Sequence, residues 1–245
     1  MKNSVQWYSS RLETDVRVVR WGHYGVPLLL FPTAGGDAEE VERCYLVQQL
    51  EPFIQEGRLK VYSVDSIAGR TWLSGHSIAH RVWVQRQFDA FLHHEVVPLI
   101  RTDCRNDSIE IMTAGASIGA FNALLTICRN PFDFSRAICM SGTFDLEKWL
   151  AGQWFDDFHY LSPLHFVPGL PHDAQLMQLQ QRFVLIPTGQ GEYEDPGESW
   201  RVSHALGQRQ IPNRVDLWGH EWKHDWDTWR AMLPVYVEEM LRSLG

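Results

Sequence analysis

Long hydrophobic runs and basic segments are both scarce in this sequence of 245 residues. The longest aliphatic stretch, Val26–Phe31, has the length of a strand and is far short of the roughly 20 residues that cross a bilayer. The first ten residues contain neither a basic segment nor an apolar run, so no secretory leader is predicted. We therefore expect a protein that does not insert into membranes.

Positive charge is in deficit, with 22 Lys and Arg against 30 Asp and Glu and a formal net charge of −8. A surface of this sign repels phosphate backbones and anionic lipid headgroups, so neither nucleic acid nor a membrane is an expected partner. The four cysteines show no C-x-x-C spacing. This pattern indicates reduced thiols and a cytoplasmic location, not a disulfide framework.

The composition is otherwise that of a globular chain, with 44% hydrophobic and 21% charged residues. A chain of this length buries enough surface to fold without disulfides or metals. No linker rich in Pro, Gly or Ser divides it, which predicts a single domain over residues 1–245. The eleven tryptophans are expected mainly in the core, with a pocket wall for an apolar or ring-bearing ligand as the alternative.

Short aliphatic or β-branched runs alternate with longer helical patterns along the chain. The clearest helix, from about residue 80 to 100, is expected to kink or end at Pro98. Strands separated by helices predict an α/β fold with a mostly parallel central sheet, helices on both faces, and ligands beyond the carboxyl ends of the strands. Strands are predicted at 16–21, 26–31, 59–64, 109–113, 134–140, 183–187 and 215–218, the first two as a hairpin around His23-Tyr24-Gly25.

A strand-like run leads directly into Gly115-Ala116-Ser117-Ile118-Gly119, which in turn opens a helical pattern. This is the G-x-S-x-G turn, in which a serine at the bend between strand and helix has a strained backbone and needs small neighbours. Gly115 and Gly119 supply that room. The free N–H groups at the helix start, with Ile118 first, would face a developing oxyanion. The pattern predicts that Ser117 is a nucleophile.

A serine hydroxyl needs a base to take its proton, and in this fold the base follows an acid along the chain. Of the eleven histidines, His224 is preferred because it lies in the loop after the last predicted strand, and His220 is the alternative. The loop after the preceding strand offers the acid. Glu194 is preferred there and Glu192 is the alternative, since either could hold the imidazole in one tautomer.

A second oxyanion donor is expected from the loop Pro32-Thr33-Ala34-Gly35-Gly36, which follows an early strand. The two glycines allow the backbone to turn so that an N–H group faces Ser117. That group is predicted to belong to Ala34 or Gly35.

Asp195-Pro196-Gly197-Glu198 is typical of a helix start. Asp195 fits the N-cap, Pro196 the first helical position, and Glu198 the third position, where an acid can close a capping box. Asp195 is therefore assigned to a cap and not to catalysis.

With these residues in view, the chain resembles the putative-esterase (esterase D-like) family of α/β hydrolases over most of its length. The resemblance implies an α/β-hydrolase fold, with Ser117 as nucleophile, His224 as base and a loop carboxylate as acid. Pro32-Thr33 stands where many relatives carry His-Gly. The matching stretches are Phe31 to Gly36, Val64-Asp65-Ser66, the turn from Gly115 to Gly119, Ser141-Gly142, and His224-Asp225-Trp226 with Trp229.

Together these features predict a serine carboxylic-ester hydrolase that acts on a small-molecule ester through an acyl-enzyme, with no cofactor and no metal. An acyltransferase and a non-catalytic binding protein of the same fold are the alternatives, and a homo-oligomer is compatible with the sequence. The long segment from about 146 to 181 is expected to form part of a cap over the site, with plain surface helices as the alternative.

A different class of enzyme is suggested by His220-Glu221-Trp222-Lys223-His224, which matches the zinc-protease pattern H-E-x-x-H. That mechanism needs both histidines on one helix and a third ligand farther on. Gly219 precedes the pattern and a helix start is predicted at Asp225 just after it. The sequence therefore favours a loop here and no zinc site.

Overall fold

The structure, a computed structural model, describes residues 1–243, and the last two residues of the predicted 1–245 domain lie outside the described part. Within residues 1–243, eight strands form one sheet in the order β1-β2-β4-β3-β5-β6-β7-β8. The two pairings made by β2 are antiparallel. The five pairings from β4 to β8 are parallel, which confirms the prediction of a mostly parallel sheet. The strands are β1 (Lys2–Ser9), β2 (Thr14–Trp21), β3 (Val26–Phe31), β4 (Leu59–Val64), β5 (Ile111–Ala116), β6 (Phe134–Met140), β7 (Phe183–Thr188) and β8 (Asn213–Leu217).

Helices cover both faces of the sheet and bury a separate apolar cluster on each. One cluster receives α4 to α7 and α11, and the other receives α1 to α3 and α12. The segment 146–181 forms short helices, of which α8 packs on α5 and α9 packs on α7 and α11. The helices are α1 (Glu40–Arg43), α2 (Leu46–Gln49), α3 (Glu51–Gln55), α4 (Ile67–Trp72), α5 (Ile78–Phe91), α6 (Val97–Cys104), α7 (Ile118–Arg129), α8 (Asp156–His159), α9 (Pro163–Phe166), α10 (Ala174–Leu179), α11 (Pro196–Gly207) and α12 (Trp226–Arg242).

The predicted hairpin between residues 16–21 and 26–31 is wrong. β2 pairs with β1 and β4, and β3 lies on the far side of β4. Gly25, at φ +113°, lets the chain pass close to the start of β4, because a Cβ at this position would lie 2.3 Å from the backbone of Arg58. The Val26 N–H group then donates to Arg58 O at 3.0 Å, which starts the parallel ladder with β4.

The predicted helix at residues 80–100 extends from α5 through α6. A π-helical turn, Leu92–Val96, separates the two, and Pro98 lies in the first turn of α6. A proline lacks the N–H group of a regular helical bond, and a wider turn just before it lets the helical path continue. The interruption expected at Pro98 therefore falls one turn earlier, and the path runs on to Cys104.

In the part of the chain that the structure describes, no helix is both long enough and apolar enough to cross a bilayer.

An ionic cluster ties the end of α6 to the sheet, beside a cavity of about 1650 Å³ that opens at the amino ends of the parallel strands. Asp103 Oδ1 accepts from Arg20 Nη1 at 2.6 Å, and Oδ2 accepts from Tyr62 Oη at 2.6 Å and from Lys60 Nζ at 2.7 Å. Burial alone would raise the pKa of Asp103, but hydrogen bonds from Lys60 and Tyr62 outweigh burial and hold that pKa below its ordinary value.

We expect Asp103→Asn to lower the free energy of unfolding by about 2–4 kcal/mol near neutral pH, because Lys60, only 4% exposed, would lose its counter-charge. A depressed folded-state pKa contributes stability above the ordinary carboxyl value, and that stability is lost as pH falls through the folded value. The difference should therefore shrink in strong acid. Urea unfolding of wild type and Asp103→Asn, at neutral pH and in strong acid, measures this difference in the free energy of unfolding, with the exposed Asp107→Asn as control. Equal stability of Asp103→Asn and wild type near neutral pH would contradict the anchoring role.

Candidate active site

Ser117 lies at the sharp bend between β5 and α7. Its φ of 57° and ψ of −122° fall in a region that residues other than glycine rarely adopt. A Cβ on Gly115 would lie 2.3 Å from the Gly119 carbonyl carbon, and a Cβ on Gly119 would lie 2.7 Å from Pro32 O. The bend therefore needs glycine at both positions, for the steric reason that the sequence pattern indicates.

The Ser117 hydroxyl occupies a helix N-cap position without capping the helix. Its Oγ lies 3.4 Å from Thr143 Oγ1, and within residues 1–243 it makes no hydrogen bond to His224. Hydrogen bonds of catalytic groups are often long before substrate binds. Thr143 was missed from sequence, although its position in the loop directly after β6 is the signal that could have found it.

Glu194 is the loop carboxylate that lies next to the His224 imidazole. Its side chain is 1% exposed, and Oε2 lies 3.8 Å from His224 Nδ1. Oε1 accepts from Ser141 Oγ at 2.5 Å, and Oε2 accepts from Thr188 Oγ1 at 3.1 Å. Two hydroxyl donors thus fix the orientation of the carboxylate, with one oxygen facing the imidazole.

Glu192, the alternative acid, has its side chain 54% exposed. Its Oε2 lies 3.1 Å from Lys223 Nζ, and hydrogen bonding from Lys223 lowers the pKa of the Glu192 carboxyl. Its backbone oxygen accepts from the His224 N–H group at 3.0 Å. Glu192 therefore contacts the backbone of His224, and Glu194 is the carboxylate that lies next to the imidazole ring.

The His224 ring is held between α12 and the loop of residues 189–195 that follows β7 and carries Glu194, called here the acid loop. It meets the Trp229 ring edge to face, with ring centroids 5.1 Å apart. Asp225, directly after it, caps α12 by accepting from the Thr228 N–H group at 3.0 Å. The helix start predicted at Asp225 is confirmed, and it fixes where the His224 loop ends.

Two glycines let the acid loop pack directly on the backbone of the His224 loop. A Cβ on Gly189 would lie 2.2 Å from Trp222 O, and the Gly191 N–H group donates to the same oxygen at 2.9 Å. The loops after β7 and β8 therefore form one packed unit at the carboxyl ends of the sheet.

The H-E-x-x-H segment is not helical: it forms a turn and loop before α12. His220 Nδ1 lies 3.1 Å from Gln190 O, whereas His224 Nδ1 faces Glu194, so the two rings have different partners. Among the described residues, no group of three or more His, Cys, Asp or Glu is arranged to hold a metal ion. The geometry that the zinc-protease pattern requires is therefore not formed here.

Three N–H groups proposed for the oxyanion have no protein acceptor among the described residues: those of Ile118, Ala34 and Gly35. The first helical bonds of α7 begin later, from Ala120 and Phe121 to Ser117 O. Because Gly119 packs against Pro32 O, the start of α7 lies beside the loop that carries Ala34.

A buried acid, Glu198, holds the loop after β6. Asp195 caps α11 as predicted, accepting from the Gly197 N–H group at 3.0 Å. Glu198 does not close the expected capping box: its carboxylate accepts from Phe144 N at 2.5 Å and from Asp145 N at 2.9 Å. It therefore supports the strip from Ser141 to Asp145, a role that sequence reasoning missed.

The strand order and the strand-serine-helix bend define the α/β-hydrolase class of protein, in which the acid and then the histidine follow the serine along the chain. The sequence profile of the family described as "Putative esterase" matches residues 79–240, and the chain belongs to that family.

Solved structures share this fold at low sequence identity. An S-formylglutathione hydrolase from Agrobacterium tumefaciens is 14% identical with a TM-score of 0.74, over 100% of this chain and 96% of that one. A ferulic acid esterase is 14% identical with a TM-score of 0.72, over 96% and 95%. A fluorophosphonate-binding serine hydrolase from Staphylococcus aureus is 14% identical with a TM-score of 0.67, over 98% of each chain. A search of curated proteins finds no match.

Proposed function

We propose that this protein is a serine carboxylic-ester hydrolase that works through an acyl-enzyme. The observation that carries the proposal is the backbone of Ser117, which is strained at φ 57° while its hydroxyl caps nothing. A structural bend would be formed at less strain by glycine, so a serine held there favours a chemical role. Membership of the esterase family supports the same conclusion.

In the proposed reaction, Ser117 Oγ rotates away from Thr143 and attacks the ester carbonyl carbon while His224 takes the hydroxyl proton. The carbon–oxygen bond to the alcohol then breaks, and His224 returns the proton to the departing alcohol oxygen. Water repeats the sequence on the acyl-enzyme, giving a carboxylic acid and free Ser117. The substrate we propose is a small-molecule ester, and neither a metal nor a cofactor takes part.

Glu194 would keep His224 in one tautomer and stabilise the imidazolium that forms as the proton arrives. Its burial and its closeness to His224 Nδ1 support this assignment over Glu192. The N–H groups of Ile118 and Ala34 would stabilise the oxyanion of the tetrahedral intermediate. The N–H group of Gly35, the next residue after Ala34, is the alternative second donor. We also propose that the chain is one domain and that residues 146–181 cover part of the site.

The test is a panel of p-nitrophenyl esters of rising acyl length, together with labelling by a serine-directed fluorophosphonate. We expect hydrolysis of at least one ester and labelling at Ser117. A wild-type protein that neither hydrolyses nor labels would leave only the non-catalytic alternative. Labelling with acyl transfer to an added alcohol in place of hydrolysis would favour the acyltransferase alternative. Activity that depends on zinc and is lost in His220→Ala would contradict the serine mechanism.

A further inference from the structure

The loop that carries Ala34 is hydrogen-bonded to a carboxylate of α1, the helix that follows this loop. Glu40 Oε2 accepts from the Thr33 N–H group at 2.7 Å, and both carboxylate oxygens lie 3.0 Å from Thr33 Oγ1. A Cβ on Gly36 would lie 2.4 Å from Glu40 Oε2, so glycine at this position admits the carboxylate into the loop. Thr33 is thereby held through both its backbone and its side chain.

The far side of the same loop is tied to the segment after β4. Gly36 O accepts from the Ser66 N–H group at 3.2 Å, and the Ala38 N–H group donates to Asp65 Oδ1 at 3.0 Å. The loop is therefore fixed on both flanks, while the N–H group of Ala34 between them has no acceptor among the described residues.

The helix that carries Glu40, α1, is held in place by contacts of the residues next to Glu40. Val41 is fully buried, Glu42 accepts from Trp21 Nε1 at 2.9 Å, and Glu39 pairs with Arg17 at 3.0 Å. Contacts with β2 thus help to fix the position of α1. Glu40 is the side chain of this helix that reaches the loop through Thr33.

We propose that Glu40 is a positioning residue for the loop of residues 32–36, called here the oxyanion loop. It acts through Thr33 to keep the Ala34 N–H group directed towards the Ser117 side of the site. The inference rests on the proposed esterase function and deepens it. Both carboxylate oxygens are hydrogen-bonded to Thr33, and Glu40 makes no contact with Ser117 or His224 in the described hydrogen bonds. Its effect on the reaction therefore passes through the loop.

Positioning the loop does not require the negative charge of Glu40, because a carboxylate near a developing oxyanion would oppose the formation of that oxyanion. What the role uses is an acceptor in a fixed place. One oxygen, Oε2, already accepts from both Thr33 groups. The amide oxygen of Glu40→Gln can take that place, so this variant separates position from charge.

The experiment compares Glu40→Ala, Glu40→Gln and Thr33→Val with the exposed Glu51→Ala, on α3, as control. Readouts are kcat and KM for the best p-nitrophenyl ester, and the inhibition constant of a trifluoromethyl ketone, which forms a tetrahedral oxyanion on serine. We expect Glu40→Ala to lower kcat by roughly 30- to 100-fold, somewhat less than deleting an oxyanion donor, and to weaken the ketone in parallel. KM should stay within about threefold, since the ground-state carbonyl gains less from the donor.

Glu40→Gln should keep kcat within about fivefold of wild type. Thr33→Val should lose about fivefold to tenfold, because the hydrogen bond from the backbone N–H group of residue 33 remains. The control Glu51→Ala should stay within about twofold. Hydrogen exchange should show faster amides at residues 33–38 in Glu40→Ala, a smaller increase in Thr33→Val, and no change in Glu51→Ala. If Glu40→Ala does not fold, the comparison of Glu40→Gln with Thr33→Val tests the proposal.

Wild-type hydrolysis with Glu40→Ala or Thr33→Val unchanged would overturn the role of Glu40 and leave the esterase proposal standing. Glu40→Gln as slow as Glu40→Ala would show that the charge is used, which also overturns the positioning role. A wild type without hydrolysis and without labelling would overturn the esterase proposal, and this inference with it.

Discussion

Ser117→Ala should lower kcat for ester hydrolysis by ~10⁴ to 10⁶ with little change in stability. The variant removes the attacking oxygen, and alanine retains the Cβ, so the strain of the bend is unchanged. The hydroxyl contributes one long contact, to Thr143 at 3.4 Å, so little folding energy is lost. Steady-state kinetics and thermal unfolding measure the two effects, with the exposed Ser108→Ala as the matched control.

A Ser117→Ala protein that keeps more than about one hundredth of wild-type kcat would contradict the nucleophile assignment, because triad nucleophiles show far larger losses. A large fall in melting temperature would instead show that the hydroxyl has a structural role in the bend.

Glu194→Gln should lower kcat by ~10³ to 10⁴, whereas Glu192→Gln should stay within about twofold of wild type. In Glu194→Gln, the amide cannot serve as the anionic partner of the imidazolium. Glu192 is exposed and pairs with Lys223, so its replacement changes only a surface contact. The two variants differ by two positions in one loop, which makes each the control for the other in kinetic assays and in thermal unfolding.

The reverse pattern, with Glu192→Gln slow and Glu194→Gln active, would transfer the acid role to Glu192. Equal and small effects from both variants would mean that His224 works without a carboxylate partner from this loop.

Strands that are buried over most of their length are predictable from sequence, and β3, β4 and β6 match the predicted limits at both ends. β5, which is also buried, begins two residues later and ends three residues later than predicted. β1 was missed because its residues are mostly polar and exposed at the edge of the sheet, so no apolar run marks it. The hairpin prediction failed for a different reason. A local turn at Gly25 cannot reveal that a strand more than thirty residues later inserts between the two it joins.

The same division between local and distant information holds for the candidate site. The glycines around Ser117 are predictable because their neighbours in space are also neighbours in sequence. Glu192 and Glu194 carry the same group two residues apart, and only the packing of the acid loop against Ser141 and His224 separates them. Glu198 matches a capping box locally, but backbone N–H groups more than fifty residues away take its carboxylate.

The strip from Ser141 to Asp145 contacts Glu194 through Ser141 and Ser117 through Thr143, and its backbone donates two hydrogen bonds to the Glu198 carboxylate. Fraying of this one short piece of backbone would disturb both partners together. A local opening of this strip would therefore abolish the proposed activity while the sheet is still intact, since small segments open at lower free energy than a whole domain.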